Sequence, residues 1–175
     1  FNRTRLHYQK EAVSFDSFVG SVSSYVFEET DKDVLVIMNT KKAARTCFEQ
    51  LVNLNLDDTN YYFLSTLITP YERKDIIRKI KAKNGNRKLI VSTQLIEAGV
   101  DISVDTIFRQ LSPIDSIIQS AGRANRYNEK KTISDIYLYE IDGEHQRTTS
   151  RIYGSDLILK TKNVLKDFLE IEESG

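Results

Sequence analysis

Five apolar residues in a row, Val34-Leu35-Val36-Ile37-Met38, leave no polar face for water. The run is too short for a buried helix and is rich in β-branched side chains, so it predicts a strand covered on both faces. A strand of that kind needs helices above and below it, and the flanking sequence supplies them. Thr40 can cap a helix in which Ala43, Ala44, Cys47, Phe48 and Leu51 recur at three- and four-residue steps. Tyr61 to Leu64 reads as the next strand. Thr69-Pro70 joins a hydroxyl cap to proline at the first helical position, and Ile76, Ile77 and Ile80 mark that helix's buried face. Asn84-Gly85-Asn86 is a turn cluster, and Lys88 to Val91 and Thr106 to Phe108 follow as strands.

Pro113 opens a helix carrying Ile114, Ile117, Ile118 and Ala121. Ile136 to Tyr139 alternates as a strand near an edge does, and Ser155-Asp156 starts a last helix with Ile158, Leu165, Phe168 and Leu169 inward. Ahead of all this, Thr4 to Tyr8 reads as a strand and Ser14 to Glu28 as an amphipathic helix. Strands separated by helices at this spacing predict βαβ units, hence an α/β fold: a parallel sheet with helices on both faces.

Length and charge narrow the function. At 175 residues, and with no internal linker or repeat, residues 1–175 read as one domain on the usual scale of ~100–200 residues. The abrupt start at Phe1 and the acidic end suggest a piece of something longer. Lys plus Arg total 25 and Asp plus Glu total 25, so bulk positive charge is not available to coat nucleic acid, although local phosphate contacts are. A single cysteine, Cys47, excludes an intrachain disulfide and a Cys-rich zinc module. His7 and His145 lack metal-ligand spacing, so no metal site is expected in this chain. No apolar run approaches the ~20 residues of a membrane span and no signal-peptide pattern opens the chain; a cytoplasmic location, away from membranes, is expected.

Ligands of open parallel sheets bind beyond the carboxyl ends of the strands. There stand Asn39-Thr40, Ser65-Thr66, Ser92-Thr93-Gln94 and Arg109-Gln110. Hydroxyls and backbone N–H groups at such positions suit a phosphate backbone, though Thr40 and Thr93 could equally serve only as helix caps. Gln119, Arg123 and Arg126 are spaced four and three apart. On a continuing helix they would share one face, with Ile117, Ile118 and Ala121 turned to the core. Two guanidiniums on one face can converge on an anion and stabilise charge on a transferred phosphoryl group. Glu97-Ala98-Gly99-Val100-Asp101 offers a glycine turn beside an acid. Arg73, Lys74, Arg78, Lys79, Lys81, Lys83, Arg87 and Lys88 form a basic run, which is ordinarily a solvated face. There is no GxxxxGK[ST] loop and no DExD/H box for magnesium. The chain thus carries arginines that could complete a nucleotide site but not the half that grips the triphosphate.

Three segments together resemble a family. Ser92-Thr93-Gln94-Leu95-Ile96-Glu97-Ala98-Gly99-Val100-Asp101-Ile102 resembles motif V of superfamily 2 helicases. Gln119-Ser120-Ala121-Gly122-Arg123-Ala124-Asn125-Arg126 resembles their motif VI, QxxGRxxR, and Val36-Ile37-Met38-Asn39-Thr40 resembles motif IV. With Leu111-Ser112-Pro113-Ile114-Asp115 and the segment from Tyr153 to Leu157, the chain is similar over roughly residues 32 to 165 to the CRISPR-associated helicase-nuclease of type I systems. Ala124-Asn125 replaces the Thr-Gly of many helicases, a change common in this subfamily. Ser120 replaces a frequent arginine and removes one positive charge.

The resemblance implies the second RecA-like domain of an ATP-dependent DNA helicase acting in CRISPR interference. ATP and Mg²⁺ would be held mainly by a first RecA-like domain of the same protein, which would also carry an HD nuclease domain. It implies Arg123 and Arg126 as γ-phosphate arginines, Gln119 as a positioner of water or phosphate, Gly99 and Asp101 facing the nucleotide, and Asn39, Thr40, Ser65 and Thr93 contacting the backbone of single-stranded DNA. A guide-RNA surveillance complex would be a partner. The chain alone is expected to be inactive. Another superfamily 2 repair helicase, or a nucleic-acid-binding module without motor activity, remains open on the residues alone.

Overall fold

The computed structural model describes residues 4–126 and 132–174, with side chains as far as Leu169. Six strands form one sheet: β1 (Thr4–Val13), β2 (Val34–Met38), β3 (Thr59–Leu64), β4 (Arg87–Thr93), β5 (Thr106–Gln110) and β6 (Ser134–Ile141). Their order is β1-β6-β5-β2-β4-β3, and every pairing is parallel. The expected α/β parallel sheet, of RecA-like layout, is what forms. The unbroken apolar run is β2, which lies at the centre between β4 and β5.

The period of two along each strand divides the core into two layers. Leu35, Ile37, Ile90, Ile107, Ile136 and Leu138 face helices α3 (Pro70–Lys81), α4 (Ile114–Ala121) and α6 (Ser155–Ser174), which contribute Ile80, Ile117, Ile158 and Leu165. Val34, Val36, Met38, Leu89, Val91 and Phe108 face α1 (Phe15–Glu28) and α2 (Lys41–Val52), which contribute Phe18, Val22, Val26, Ala44, Cys47 and Leu51. Burying one such aliphatic or aromatic side chain is worth about 1.5–3 kcal/mol before entropy is counted.

The helix starts follow their capping chemistry. The Ser14, Thr40 and Thr69 hydroxyls accept from the backbone N–H groups of Ser17, Ala43 and Glu72. At Thr69 the Glu72 carboxylate reaches back to the Thr69 N–H at 2.9 Å, completing a capping box. The basic run does not make one free cationic face. Arg78 and Lys79 pair with Asp75, and Lys81 pairs with Asp101. The buried Arg87 donates to the Val26 and Glu29 carbonyls at the end of α1.

The structure departs from the sequence reading in three places. First, a helix α5 (Glu144–Tyr153) precedes α6 and is absent from the expectation. Second, α4 stops at Ala121, so Arg123 and Arg126 do not continue it and do not share a helical face with Gln119. After Gly122 the chain tightens and turns to pair with Val104: Val104 N–H donates to Arg123 O, and Asn125 N–H donates to Val104 O. Asn125 takes a left-handed φ of +45° to make that turn. Third, two side chains expected to face inward do not: Ile118 is 52% exposed and Phe168 47% exposed, whereas the neighbouring Ile117, at 3%, enters the core.

Candidate functional site

The two arginines of the QxxGRxxR segment meet the Glu97–Asp101 segment although they leave the helix. Arg123 is half-buried. Its Nε donates to the carbonyl of Ile96 at 3.2 Å and its Nη2 to that of Glu97 at 3.1 Å. Those carbonyls belong to a 3₁₀ turn, Gln94–Glu97, that continues directly from β4. Arg126 places Nη1 3.3 Å from Asp101 Oδ1, and its backbone N–H donates to the Ser103 hydroxyl at 3.0 Å. Asp101 also receives Lys81 Nζ at 2.8 Å. The Arg126 and Asp101 side chains are 39% and 46% exposed, so this contact lies at the surface.

Gly99, between these contacts, is exposed with φ +73°, a conformation that side-chain-bearing residues adopt at a cost. Gln119 is exposed on the last turn of α4. The structure therefore brings Arg123, Arg126, Gly99 and Asp101 together and leaves Gln119 one turn away along the chain. Arg126 also borders an apolar opening lined by Ile114, Ile117, Ile118 and Ala121 of α4 and by Phe168 of α6.

The other expected residues lie along the carboxyl ends of three adjacent strands, β3, β4 and β2. Met38 pairs with Thr93 and Leu64 with Ser92, which puts Ser65, Thr93 and Asn39-Thr40 in one row. The row is recessed. Ser65 and Thr93 are buried, and Ser65 Oγ accepts from the Leu67 N–H at 3.0 Å. Thr40 is partly exposed, and its hydroxyl caps α2. Asn39 is 3% exposed. Its amide donates to Leu111 O at 2.8 Å and to Thr149 Oγ1 at 3.0 Å, and its backbone N–H donates to Gln110 Oε1 at 2.9 Å. Thr149 belongs to α5, so the helix the sequence did not reveal covers the ends of β2 and β5 and encloses Asn39. Asn39 thus ties the end of β2 to the end of β5 and to α5.

Two exposed groups beside this row escaped the sequence reading. Lys41 and Lys42 occupy the first turn of α2, which holds no acidic residue. Cations there oppose the helix dipole, whereas an anion bound to the free N–H groups would be favoured. The pair directly after a strand and its cap was the available signal. Tyr71, 83% exposed, stands in the first turn of α3. Among the described residues no group of three or more His, Cys, Asp or Glu side chains could hold a metal ion, and no helix is long and apolar enough to cross a membrane.

A family model described as CRISPR-associated nuclease/helicase Cas3, C-terminal, matches residues 30–129, more than half of the chain. The chain belongs to the Cas3 C-terminal family. A curated relative, the CRISPR-associated nuclease/helicase Cas3 of Methanothermobacter thermautotrophicus, is 28% identical over 143 residues, covering 81% of this chain and 17% of the relative. The chain thus spans about a sixth of that relative's length. Among solved structures, T. fusca Cas3 with AMPPNP superposes with a TM-score of 0.80 at 16% identity, covering 94% of this chain and 22% of that one. A chain of a CRISPR RNA-guided surveillance complex in a pre-nicking state gives 0.74 at 16% identity, covering 95% of this chain and 23% of that one. These likenesses carry the fold, and the family assignment makes this the helicase type of that fold.

Proposed function

We propose that this domain is the second half of an ATP-driven motor that moves single-stranded DNA in CRISPR interference. One observation carries the reading: Arg123 and Arg126 both converge on the Ile96–Asp101 segment in a chain with no phosphate-gripping loop of its own. A preceding RecA-like domain would hold ATP and Mg²⁺, and closure of the two would present the γ-phosphate to this surface. Gly99 and Asp101 would face the nucleotide, and Gln119 would orient the water or a phosphate oxygen.

The half-exposed Arg126–Asp101 pair suits that exchange. A surface ion pair is worth only about 0.2–1 kcal/mol, so a phosphate bearing more charge displaces the carboxylate at small cost. Arg123 donates to the neutral carbonyls of Ile96 and Glu97, which set it on the same segment. Arginines delivered in this way are worth ~10³–10⁵ in rate.

DNA would run along the carboxyl ends of β3, β4 and β2. Thr40, with Lys41 and Lys42, would take phosphates there; Thr93 and Ser65 would offer their backbone and recessed hydroxyls, supported by Asn39. Phosphate grip makes binding indifferent to sequence and sensitive to salt. The likeness to a surveillance-complex chain supports a guide-RNA complex as the docking partner, and the name nuclease/helicase in the relatives supports a nuclease domain in the longer protein. The isolated domain should turn over no ATP.

The test is Arg126→Ala in the full-length protein, read by DNA-stimulated ATPase. Turnover is expected to fall by at least about 10³ with little change in thermal midpoint. Wild-type turnover in the folded variant would sink the reading.

A further inference from the structure

Beneath the arginine pair lies a charge that the motor reading has not used. Arg109, at the end of β5, is 0% exposed, and its Nη2 stands 2.5 Å from Oε1 of Glu97, whose side chain is 9% exposed. That distance is of hydrogen-bonding length, and the pair is an ion pair. Nε of Arg109 donates to the buried Ser112 hydroxyl at 2.8 Å, and Nη1 is buried with no hydrogen-bond partner among the described residues. The hydroxyl of Tyr153, from α5, is likewise buried with no hydrogen-bond partner among the described residues; burial pushes its pKa up, while the nearby Arg109 charge lowers it and that of Glu97 raises it.

A charged pair sealed from water is a weak stabiliser, and an apolar pair of similar size commonly serves a fold as well. A buried ion pair with a donor to spare calls for an explanation other than stability. Glu97 supplies one. Its carboxylate meets Arg109, and its backbone carbonyl, with that of Ile96, accepts from Arg123. The same short turn is thus gripped from the sheet by one guanidinium and from the surface by another.

We propose that Arg109 is a positioning residue that, through the Glu97 carboxylate, fixes the turn on which Arg123 rests and so sets Arg123 for the γ-phosphate. The proposal rests on the motor reading above. Arg109 reaches no substrate itself, being wholly enclosed. It supplies a fixed counter-charge that holds one residue of the 3₁₀ turn in place.

The experiment is a double-mutant cycle in the full-length protein, with ATPase measured in saturating single-stranded DNA. Arg109→Met together with Glu97→Gln removes both charges and leaves no unpaired ion. This pair of changes is expected to keep the thermal midpoint near wild type and KM for ATP within about threefold, while kcat falls at least about tenfold, because a small misplacement remote from the chemistry acts on the rate. Placed in an Arg123→Ala background, the same two changes should lower kcat no further, since the strut acts only through that arginine. A general structural defect would instead lower both backgrounds alike.

Wild-type kcat in the folded double variant, or an additive fall in the Arg123→Ala background, overturns the proposal. If Arg123→Ala itself retains full turnover, the motor reading fails first, and the two failures are told apart. Should the double variant not fold, Arg109→Lys is carried through the same cycle. Lysine keeps the charge beside Glu97 without the planar fork, and the same non-additivity is expected.

Discussion

The left-handed turn at Asn125 decides where Arg126 points, and its contribution can be worked out. Asn125 is buried, has φ +45°, and its Nδ2 donates to Thr132 O at 3.0 Å. Replacing it with alanine removes a buried hydrogen bond, about 1 kcal/mol, and places an ordinary Cβ in a conformation that costs L residues about 1–2 kcal/mol. Asparagine tolerates that conformation better than alanine does, so the total for Asn125→Ala is about 2 kcal/mol. Asn125→Gly loses the same hydrogen bond and removes the steric cost, but its unfolded chain is freer by about 0.5–1 kcal/mol. Glycine also relieves the residual cost that asparagine itself bears there, about 0.5 kcal/mol, so its expected loss is about 1–1.5 kcal/mol, below the alanine value. Urea denaturation of both variants with unchanged m reads this directly, and for a chain of this size 2 kcal/mol corresponds to a fall of about 4–8 °C in Tm. Glycine as damaging as alanine would refute the reasoning, because the backbone turn would then contribute nothing.

Two further outcomes can be checked on the same chain. Ile117→Ala should cost about 2–5 kcal/mol as a core truncation, whereas Ile118→Ala at the exposed neighbouring position should stay within about 0.5 kcal/mol; equal losses in urea titrations would contradict the observed burial. Burial pushes the Cys47 thiol up to about 12, and its folded form is therefore the neutral one. An unfolded thiol ionises near about 8.5, so the contribution is fully present below that and is lost as pH rises from there toward 12. Alkylation at pH 8 should be slow in the native chain and fast in urea, while rapid native labelling would exclude the buried site.

The legible parts of the fold were those written in apolar periodicity. The run at β2, the hydroxyl caps at Thr40 and Thr69, and the proline at the head of α3 carried their positions unaided. Helix α5 was silent because Glu144-His145-Gln146-Arg147-Thr148-Thr149-Ser150-Arg151 has no apolar stripe; it is held by contacts of single side chains such as Thr149. Without α5, the burial of Asn39 could not be foreseen. The helical spacing of Gln119, Arg123 and Arg126 misled because the pairing with Val104, remote in sequence, takes the chain out of the helix after Gly122. That Arg109 lies wholly inside was equally hidden, since a charged residue at a strand end is ordinarily solvated.

The sheet order also governs how the molecule is made. Among the described residues β1 has β6 as its one neighbour in the sheet order, and Thr4 pairs with Ser134, about 130 positions later. At synthesis rates of 5–20 residues per second the first strand waits roughly 7–26 s on the ribosome for its mate. During that interval β1 lacks the ladder of backbone hydrogen bonds that β6 supplies in the folded sheet.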